Sequence, residues 1–100
     1  MTDEHERILK HAISHYGEAH QIDKAIEEMS ELTKALLKLR YAEKDYEREI
    51  LQEAVAEEIA DVGIMLRQLR MIFDFDATIL QYEDDKVQRL QRQMRKEVEE

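Results

Sequence analysis

The sequence predicts an all-α protein of about four helices that form a helical bundle. The chain of 100 residues contains no proline and only two glycines, so little interrupts helix formation. Residues with high helix propensity dominate, and apolar residues recur every three or four positions, which places them on one face of a helix. A chain of this length fits one domain, so we expect a single domain over residues 1–100.

The first two helices are expected to cover the N-terminal 40 residues. Thr2 or Asp3 can cap the first helix, and Gly17 is expected to end it, since glycine readily adopts the backbone conformation of a helix C-terminus. The second helix should run from Glu18 or Ala19 to Arg40. The predicted apolar faces are Ile8, Leu9, Ala12, Ile13 and Tyr16 in the first helix, and Ile22, Ala25, Ile26, Met29, Leu32 and Leu36 in the second.

Two longer helices are expected in the remainder of the chain. Asp45 is expected to cap the third helix, which runs to about Phe73. A turn over residues 74–76 should precede the last helix, of about residues 77–98, with Asp74 or Asp76 as its cap. The predicted inward residues are Leu51, Val55, Ile59, Val62, Leu66 and Leu69 in the third helix, and Ile79, Tyr82, Val87, Leu90 and Met94 in the fourth.

The third helix indicates an oligomer. Between Val62 and Phe73 its apolar residues span a wider arc than one neighbouring helix would cover. A short chain has few elements with which to bury such a surface, so we expect a homodimer or homotetramer. Gly63 within this helix would fit a close crossing of two helices. For Phe73, Phe75 and Tyr82, packing in the core is favoured over stacking on a base.

Composition limits the partners and the location of the protein. The net charge of −9 argues against nucleic-acid backbones and anionic membrane surfaces as partners. The absence of cysteine excludes disulfides and thiolate zinc sites. There is no apolar run of membrane-spanning length and no signal-peptide pattern at the N-terminus, so we expect a cytoplasmic protein. We expect the histidines, His5, His11, His15 and His20, to lie on the surface.

Two acidic clusters form the main candidate site. Glu28 and Glu31 project from neighbouring turns of the second helix, and Glu58 and Asp61 do so in the third. If these helices pack side by side, four carboxylates converge, and they repel one another unless a cation lies between them. Carboxylate oxygens suit hard divalent cations such as Mg²⁺. The sequence therefore allows either a metal site or a solvated acidic helix face.

The positions of the acids around each helix help to weigh these two interpretations. Glu58 falls inside the apolar stripe of its helix, where a carboxylate is costly unless it is paired or bound to a metal. Glu28 lies on the shoulder of the second-helix stripe, Glu31 further out, and Glu27 nearly opposite. Pairing between residues three or four positions apart accounts for nearby lysines such as Lys34 without any functional role.

The paired acidic motifs also carry a resemblance to a known family. The pattern E-E-x-x-E followed by E-x-x-D, on two helices of a short helical chain, resembles the MazG-like nucleoside triphosphate pyrophosphohydrolase superfamily. The similarity covers roughly residues 16 to 95. The matching stretches include Tyr16-Gly17, Gln21, Lys24 to Leu32, Lys38, Glu57 to Val62, Met65 to Leu69 and Lys86 to Leu90.

The resemblance implies an all-α enzyme that hydrolyses a nucleoside triphosphate to the monophosphate and pyrophosphate. It implies Mg²⁺, or Mn²⁺ in its place, bound by Glu28, Glu31, Glu58 and Asp61. It further implies phosphate contacts from Lys38, Lys86 and Arg89. Glu27 either orients the attacking water as a base or is simply exposed to solvent. Some family members have an asparagine two residues before the later lysine, where this chain has Asp84.

Two other classes of protein are alternatives to this enzyme. The first is a non-catalytic acidic helical interaction protein, whose carboxylates are surface charge and which shows no Mg²⁺ response. The second is a di-iron carboxylate bundle, which takes a Glu-x-x-His motif from two helices. No glutamate in this chain has a histidine three residues later, so the sequence disfavours a di-iron site.

Overall fold

The computed structural model describes residues 1–99, which fold as four α-helices joined by short turns. The helices are α1 (Asp3–Tyr16), α2 (Glu18–Arg40), α3 (Asp45–Phe73) and α4 (Asp76–Glu99). Within this part of the chain there is no β-strand. The prediction of an all-α chain with four helices is confirmed.

The start of α1 and the junction between α1 and α2 follow the predicted pattern. The Thr2 hydroxyl accepts a hydrogen bond from the His5 backbone N–H, and the His5 ring accepts one from the Thr2 N–H. This reciprocal capping box satisfies two donors that the first turn of a helix leaves free. Gly17 ends α1 with φ of 91°, which disfavours residues with a Cβ, and α2 begins at the next residue.

The predicted caps of the later helices are wrong by one residue. Asp45 and Asp76 are the first residues of α3 and α4 rather than their caps. Lys44 precedes α3, and its side chain makes no capping hydrogen bond. An acidic residue in the first turn still stabilises a helix, because it interacts with the positive end of the helix dipole. Asp74 ends α3 in the left-handed conformation, with φ of 52°.

The helices α2 and α3 pack along each other and form the centre of the fold, and α1 packs against both. We call the buried interface between α2 and α3 the seam. Its buried apolar residues are Ala25, Val55, Val62 and Met65. Two amides, Gln21 and Gln68, are buried with them. The core is therefore small, and polar side chains occupy part of it.

The buried faces of α2 and α3 are rotated relative to the predicted apolar stripes. Ile26 and Leu36 of α2 are 56% and 47% exposed, whereas Gln21 is buried. In α3, Ile59 and Leu66 are 56% and 48% exposed. The prediction placed the most apolar residues inward, but each helix also turns polar residues toward the seam. Apolar side chains are consequently left on the outer surface.

The last helix, α4, packs along none of the other described helices. An ion pair between Arg70 Nη2 and Glu83 Oε1, at 2.8 Å, and stacked rings of Phe73 and Phe75 tie its beginning to the end of α3. The radius of gyration is 17.5 Å, whereas a compact domain of this length has about 13 Å. The prediction that α4 turns an apolar face inward is therefore wrong for all its members except the half-buried Ile79.

The prediction that three aromatic residues pack in the core is wrong, because few elements surround α3 and α4. Phe73, Phe75 and Tyr82 are 48%, 58% and 61% exposed, so none of them is a core residue. Among the described residues nothing lies within 4 Å of the position that a Cβ would take at Gly63, so no helix of the same chain crosses closely there, and a crossing by a second subunit stays a prediction. None of the described helices is both long and apolar enough to span a membrane.

Candidate metal centre

Three carboxylates meet in the seam between α2 and α3. One oxygen atom from each of Glu28, Glu58 and Asp61 lies within 4.8 Å of the other two, and all three residues are half-buried. We call these residues the carboxylate triad. Glu58 and Asp61 are nearly one turn apart on α3, so they share a face. Glu28 reaches them from the face of α2 that also carries Gln21 and Ala25.

The other two acids proposed from the sequence lie outside the triad. Glu31 is 47% exposed at its side chain and accepts a hydrogen bond from Lys34 Nζ at 3.4 Å. Glu27 is 63% exposed and lies 3.7 Å from Lys24 Nζ. The structure thus brings together three of the four proposed metal ligands, and Glu27 is exposed, as its position on the helix indicated.

Within the triad, Glu58 has the least favourable surroundings for a charged carboxylate. Its Oε2 atom is buried and has no hydrogen-bond partner among the described residues. Burial raises the pKa of the Glu58 carboxyl, and the charges of Asp61, Glu28, Glu31 and Glu57 raise it further. A buried carboxylate oxygen without a partner is costly, and a bound cation would remove that cost.

Lys24 is the only basic residue paired with the triad within residues 1–99. Its Nζ lies 3.2 Å from Glu28 Oε1, one helical turn away. The hydrogen bond with Glu28 and the nearby charge of Glu27 raise the pKa of Lys24. One lysine beside three carboxyl groups cannot balance their formal charge. Sequence reasoning gave Lys24 no role, although its spacing of four residues from Glu28 predicts this pair.

A buried amide pair lies in the same seam as the triad. Gln21 Nε2 donates a hydrogen bond to Gln68 Oε1 at 2.7 Å, and the Gln21 Oε1 lies 2.8 Å from the His20 Nδ1. Gln21 precedes Glu28 by seven residues, and Gln68 follows Asp61 by seven. Seven residues make about two helical turns, so each glutamine shares a face with a triad member.

This amide pair favours one register of α2 against α3, and that register brings the triad together. A buried amide without a partner costs about 1–3 kcal/mol, so sliding α2 along α3 would be unfavourable. In the sequence analysis Gln21 and Gln68 appear only within the stretches that resemble the family, and neither is given a role of its own. The signal was available, because a glutamine at the spacing of a buried helix face predicts a polar partner on the neighbouring helix.

The basic residues proposed to bind phosphate are not joined to the triad in this chain. Lys38 is exposed and follows Glu28 by ten residues on α2, which is about 15 Å along the helix. Lys86 and Arg89 are exposed on α4, which packs along neither α2 nor α3. A phosphate role for Lys86 and Arg89 therefore requires a second subunit or a movement of α4.

The histidines form no metal site with the acids in the described residues. The rings of His11 and His15 lie 5.9 Å apart, and Tyr16 stacks on His20 at 5.0 Å. All four histidines are exposed, as the sequence analysis expected. The only group of histidine or acidic side chains between residues 1 and 99 that is spaced to hold a metal ion is the triad.

Comparisons of this chain with protein families, curated proteins and solved structures found no match. The resemblance to the MazG-like superfamily therefore rests on the sequence motifs quoted for it. The geometry of the triad is an independent observation, because it follows from how α2 and α3 pack.

Proposed function

We propose that this protein is a cytoplasmic, Mg²⁺-dependent nucleoside triphosphate pyrophosphohydrolase that forms a nucleoside monophosphate and pyrophosphate. The observation that carries the proposal is the carboxylate triad with the unpartnered, buried Oε2 of Glu58. The motif resemblance supplies the reaction, and the triad supplies a site whose chemistry fits it.

The donor atoms of the triad fit a hard divalent cation. Carboxylate oxygens without nitrogen or sulfur donors favour Mg²⁺ or Mn²⁺ over zinc or copper. Mg²⁺ prefers one or two protein carboxylates and keeps several waters, which phosphate oxygens can replace. Glu31 is one turn from Glu28, and its exposed pair with Lys34 is weak, so Glu31 is able to join the ligands.

Each residue of the site has a distinct role in this proposal. A bound Mg²⁺ would neutralise the negative charge of the phosphates and lower the pKa of a water molecule. Glu28, Glu58 and Asp61 would hold the cation. If Glu28 held the cation, Lys24 would keep only its longer pair with Glu27, at 3.7 Å, and its ammonium group would be able to turn toward a phosphate. Glu27 makes no direct metal bond, and it is retained as a candidate proton acceptor for the attacking water.

We propose that the active form is an oligomer, as a dimer or tetramer. The exposed apolar residues of α2 and α3 support this proposal, since a monomer in water leaves them uncovered. They include Ile26, Leu36, Ile59, Ile64, Leu66 and Phe73. A second subunit would also provide a route by which Lys86 and Arg89 approach a triphosphate.

A screen of purified protein with nucleoside triphosphates and Mg²⁺, measuring pyrophosphate release, tests the proposed reaction. Asp61→Asn should abolish release, because it removes a ligand charge with almost no change in side-chain volume. Glu53→Gln is the matched control, since Glu53 is an exposed acid of the same helix. Absence of pyrophosphate release with every nucleotide would contradict the enzyme proposal.

The alternative is a non-catalytic acidic helical interaction protein, and the unpartnered helix α4 favours it. In that case the triad is a structural feature and Mg²⁺ does not bind it. Calorimetric titration with Mg²⁺ in the absence of nucleotide separates the two functions. Heat of binding that disappears in Asp61→Asn supports the enzyme, and the absence of any heat together with no turnover supports the interaction protein.

A further inference from the structure

The helix α4 exposes a continuous apolar stripe along its length. The stripe consists of Leu80, Val87, Leu90, Met94 and Val98, each of which is more than half exposed. An amphipathic helix in water is stabilised chiefly by burying its apolar face against another element. No helix of the described chain provides that cover. The stripe is therefore a surface that lacks its partner.

The spacing of the stripe fits a helix as the partner. Leu80, Val87 and Met94 are seven residues apart, and Leu90 lies at the intermediate position of the second heptad. Residues that alternate at intervals of three and four form the narrow apolar interface of a two-stranded coiled coil. The intermediate position of the first heptad is Glu83, which is paired with Arg70 of α3.

The charges of α4 are divided between its two halves. Residues 76–85 contain four acidic and no basic side chains, and residues 86–96 contain five basic and no acidic ones. The acids are Asp76, Glu83, Asp84 and Asp85, and the bases are Lys86, Arg89, Arg92, Arg95 and Lys96. A parallel pair of such helices would place like charges together. An antiparallel pair places the acidic half of each helix beside the basic half of the other.

We propose that α4 packs antiparallel against the α4 of a second copy of this chain, with the two-fold axis near Val87. The interface is self-complementary, because the same surface of each subunit contacts the other. In this arrangement Thr78 of one subunit lies beside the partner's Lys96. The pairing goes beyond the proposed hydrolysis and does not depend on it.

Spin labels on single cysteines test the direction of the pair, since the natural chain has no cysteine to interfere. Labels at Gln88 should lie close together, because packed helix axes are only about 10 Å apart. Labels at Thr78 should lie at least about 27 Å apart, which is the rise over the 18 residues to position 96. Mixing Thr78→Cys and Lys96→Cys proteins should produce a short distance that neither shows alone.

Each alternative arrangement gives a different set of distances. A parallel pair gives a short distance for every labelled position alone, which would overturn the antiparallel proposal. Association through another surface, or a monomer whose α4 meets a different partner, gives no short distance at Gln88 or in the mixture. Either of those results would also overturn it.

Charge reversal provides a second test of the same pairing. Lys86→Glu/Arg89→Glu/Arg92→Glu replaces three of the five basic side chains in the second half of α4 with acids, and Asp84→Lys/Asp85→Lys replaces two of the four acidic side chains in its first half with lysines. Each variant alone should self-associate at least about tenfold more weakly, because like charges then face each other. An equal mixture of the two should regain association, measured by analytical ultracentrifugation without nucleotide.

A control must separate this pairing from a general effect of charge. Lys10→Glu/Arg40→Glu/Lys44→Glu reverses three exposed charges outside α4 and matches the first variant in net charge. It should associate as the parent does. Failure of the mixture to recover, with helix content by circular dichroism unchanged, would overturn the proposal, as would an equal loss of association in the control.

Discussion

The seam buries polar side chains, whereas α4 exposes apolar ones. The seam buries two amides and a carboxylate oxygen between helices, where each needs a partner. The helix α4 leaves leucine, valine and methionine side chains in water. The two regions therefore lack different kinds of binding partner. The seam carries more carboxylates than Lys24 alone can balance, and a small cation can offset the excess. The helix α4 lacks apolar contact, which only a macromolecular surface can supply.

The largest expected effect is on catalysis at the triad. Alanine at Glu28, Glu58 or Asp61 should lower kcat/KM more than about 100-fold, because even residues that support metal ligands contribute 10–100-fold. Glu31→Ala tests whether the fourth acid joins the site when substrate binds. Steady-state kinetics of pyrophosphate release provide the measurement, with Glu53→Ala as the control. Parent-like activity in Asp61→Ala would contradict the proposal that the triad binds a catalytic metal ion.

The next effect concerns the amide pair. Gln68→Leu leaves the buried Nε2 group of Gln21 without a hydrogen-bond acceptor and should lower the free energy of unfolding by about 1–3 kcal/mol. The double variant Gln21→Leu/Gln68→Leu should recover most of this loss, since both polar groups are then gone. Urea denaturation of the two single variants and the double variant gives the coupling between them. Additive losses would show that the two amides do not act as a pair.

These two regions also show what the sequence could predict. Glycine, capping residues and apolar spacing located all four helices within a residue or two, because helix formation is a local property. The convergence of Glu58 and Asp61 with Glu28 was also within reach, since it needs only one packed pair of helices. Faces chosen by apolarity alone put Ile26 and Ile59 inside, but packing favoured the faces that carry the polar seam residues.

The position of α4 could not be predicted from its own pattern. An amphipathic helix shows that a partner exists but does not show whether the partner belongs to the same chain. The inward orientation expected for Val87 and Leu90 assumed a partner within one subunit. The same residues are exposed when α4 leaves α3 after the left-handed residue Asp74.

A matched substitution compares the two regions directly. Val62 of the seam is 8% exposed and Val87 of α4 is 65% exposed. In dilute protein Val62→Ala should destabilise by about 1–2 kcal/mol through lost burial and a residual cavity. Val87→Ala should stay within about 0.5 kcal/mol under the same conditions.

The concentration dependence of these two valine variants carries the comparison further. If α4 pairs between subunits, Val87→Ala should lower the melting temperature only at protein concentrations where the parent associates. Val62→Ala should lower it equally at all concentrations. Thermal melting at several concentrations measures both. A Val87→Ala effect that is independent of concentration would place its contacts within one subunit.

The smallest expected effect concerns the ionisation of Glu58 in protein without metal. Because burial and neighbouring carboxylates raise its pKa, the folded state binds the Glu58 proton more tightly than the unfolded state. The contribution of Glu58 to stability is therefore most favourable below its unfolded pKa of about 4.3. That contribution is lost as the pH rises through the higher pKa of the folded state, and it does not return at neutral pH.

Glu58→Gln removes this ionisation and should raise the neutral-pH melting temperature of the metal-free protein while flattening its fall with rising pH. Addition of Mg²⁺ should stabilise the parent, because the cation binds the folded state, and should have little effect on the variant. Glu53→Gln is the control, since that exposed acid should change neither slope. A variant that melts lower than the parent at neutral pH, with no Mg²⁺ stabilisation of the parent, would make Glu58 a structural partner of the seam.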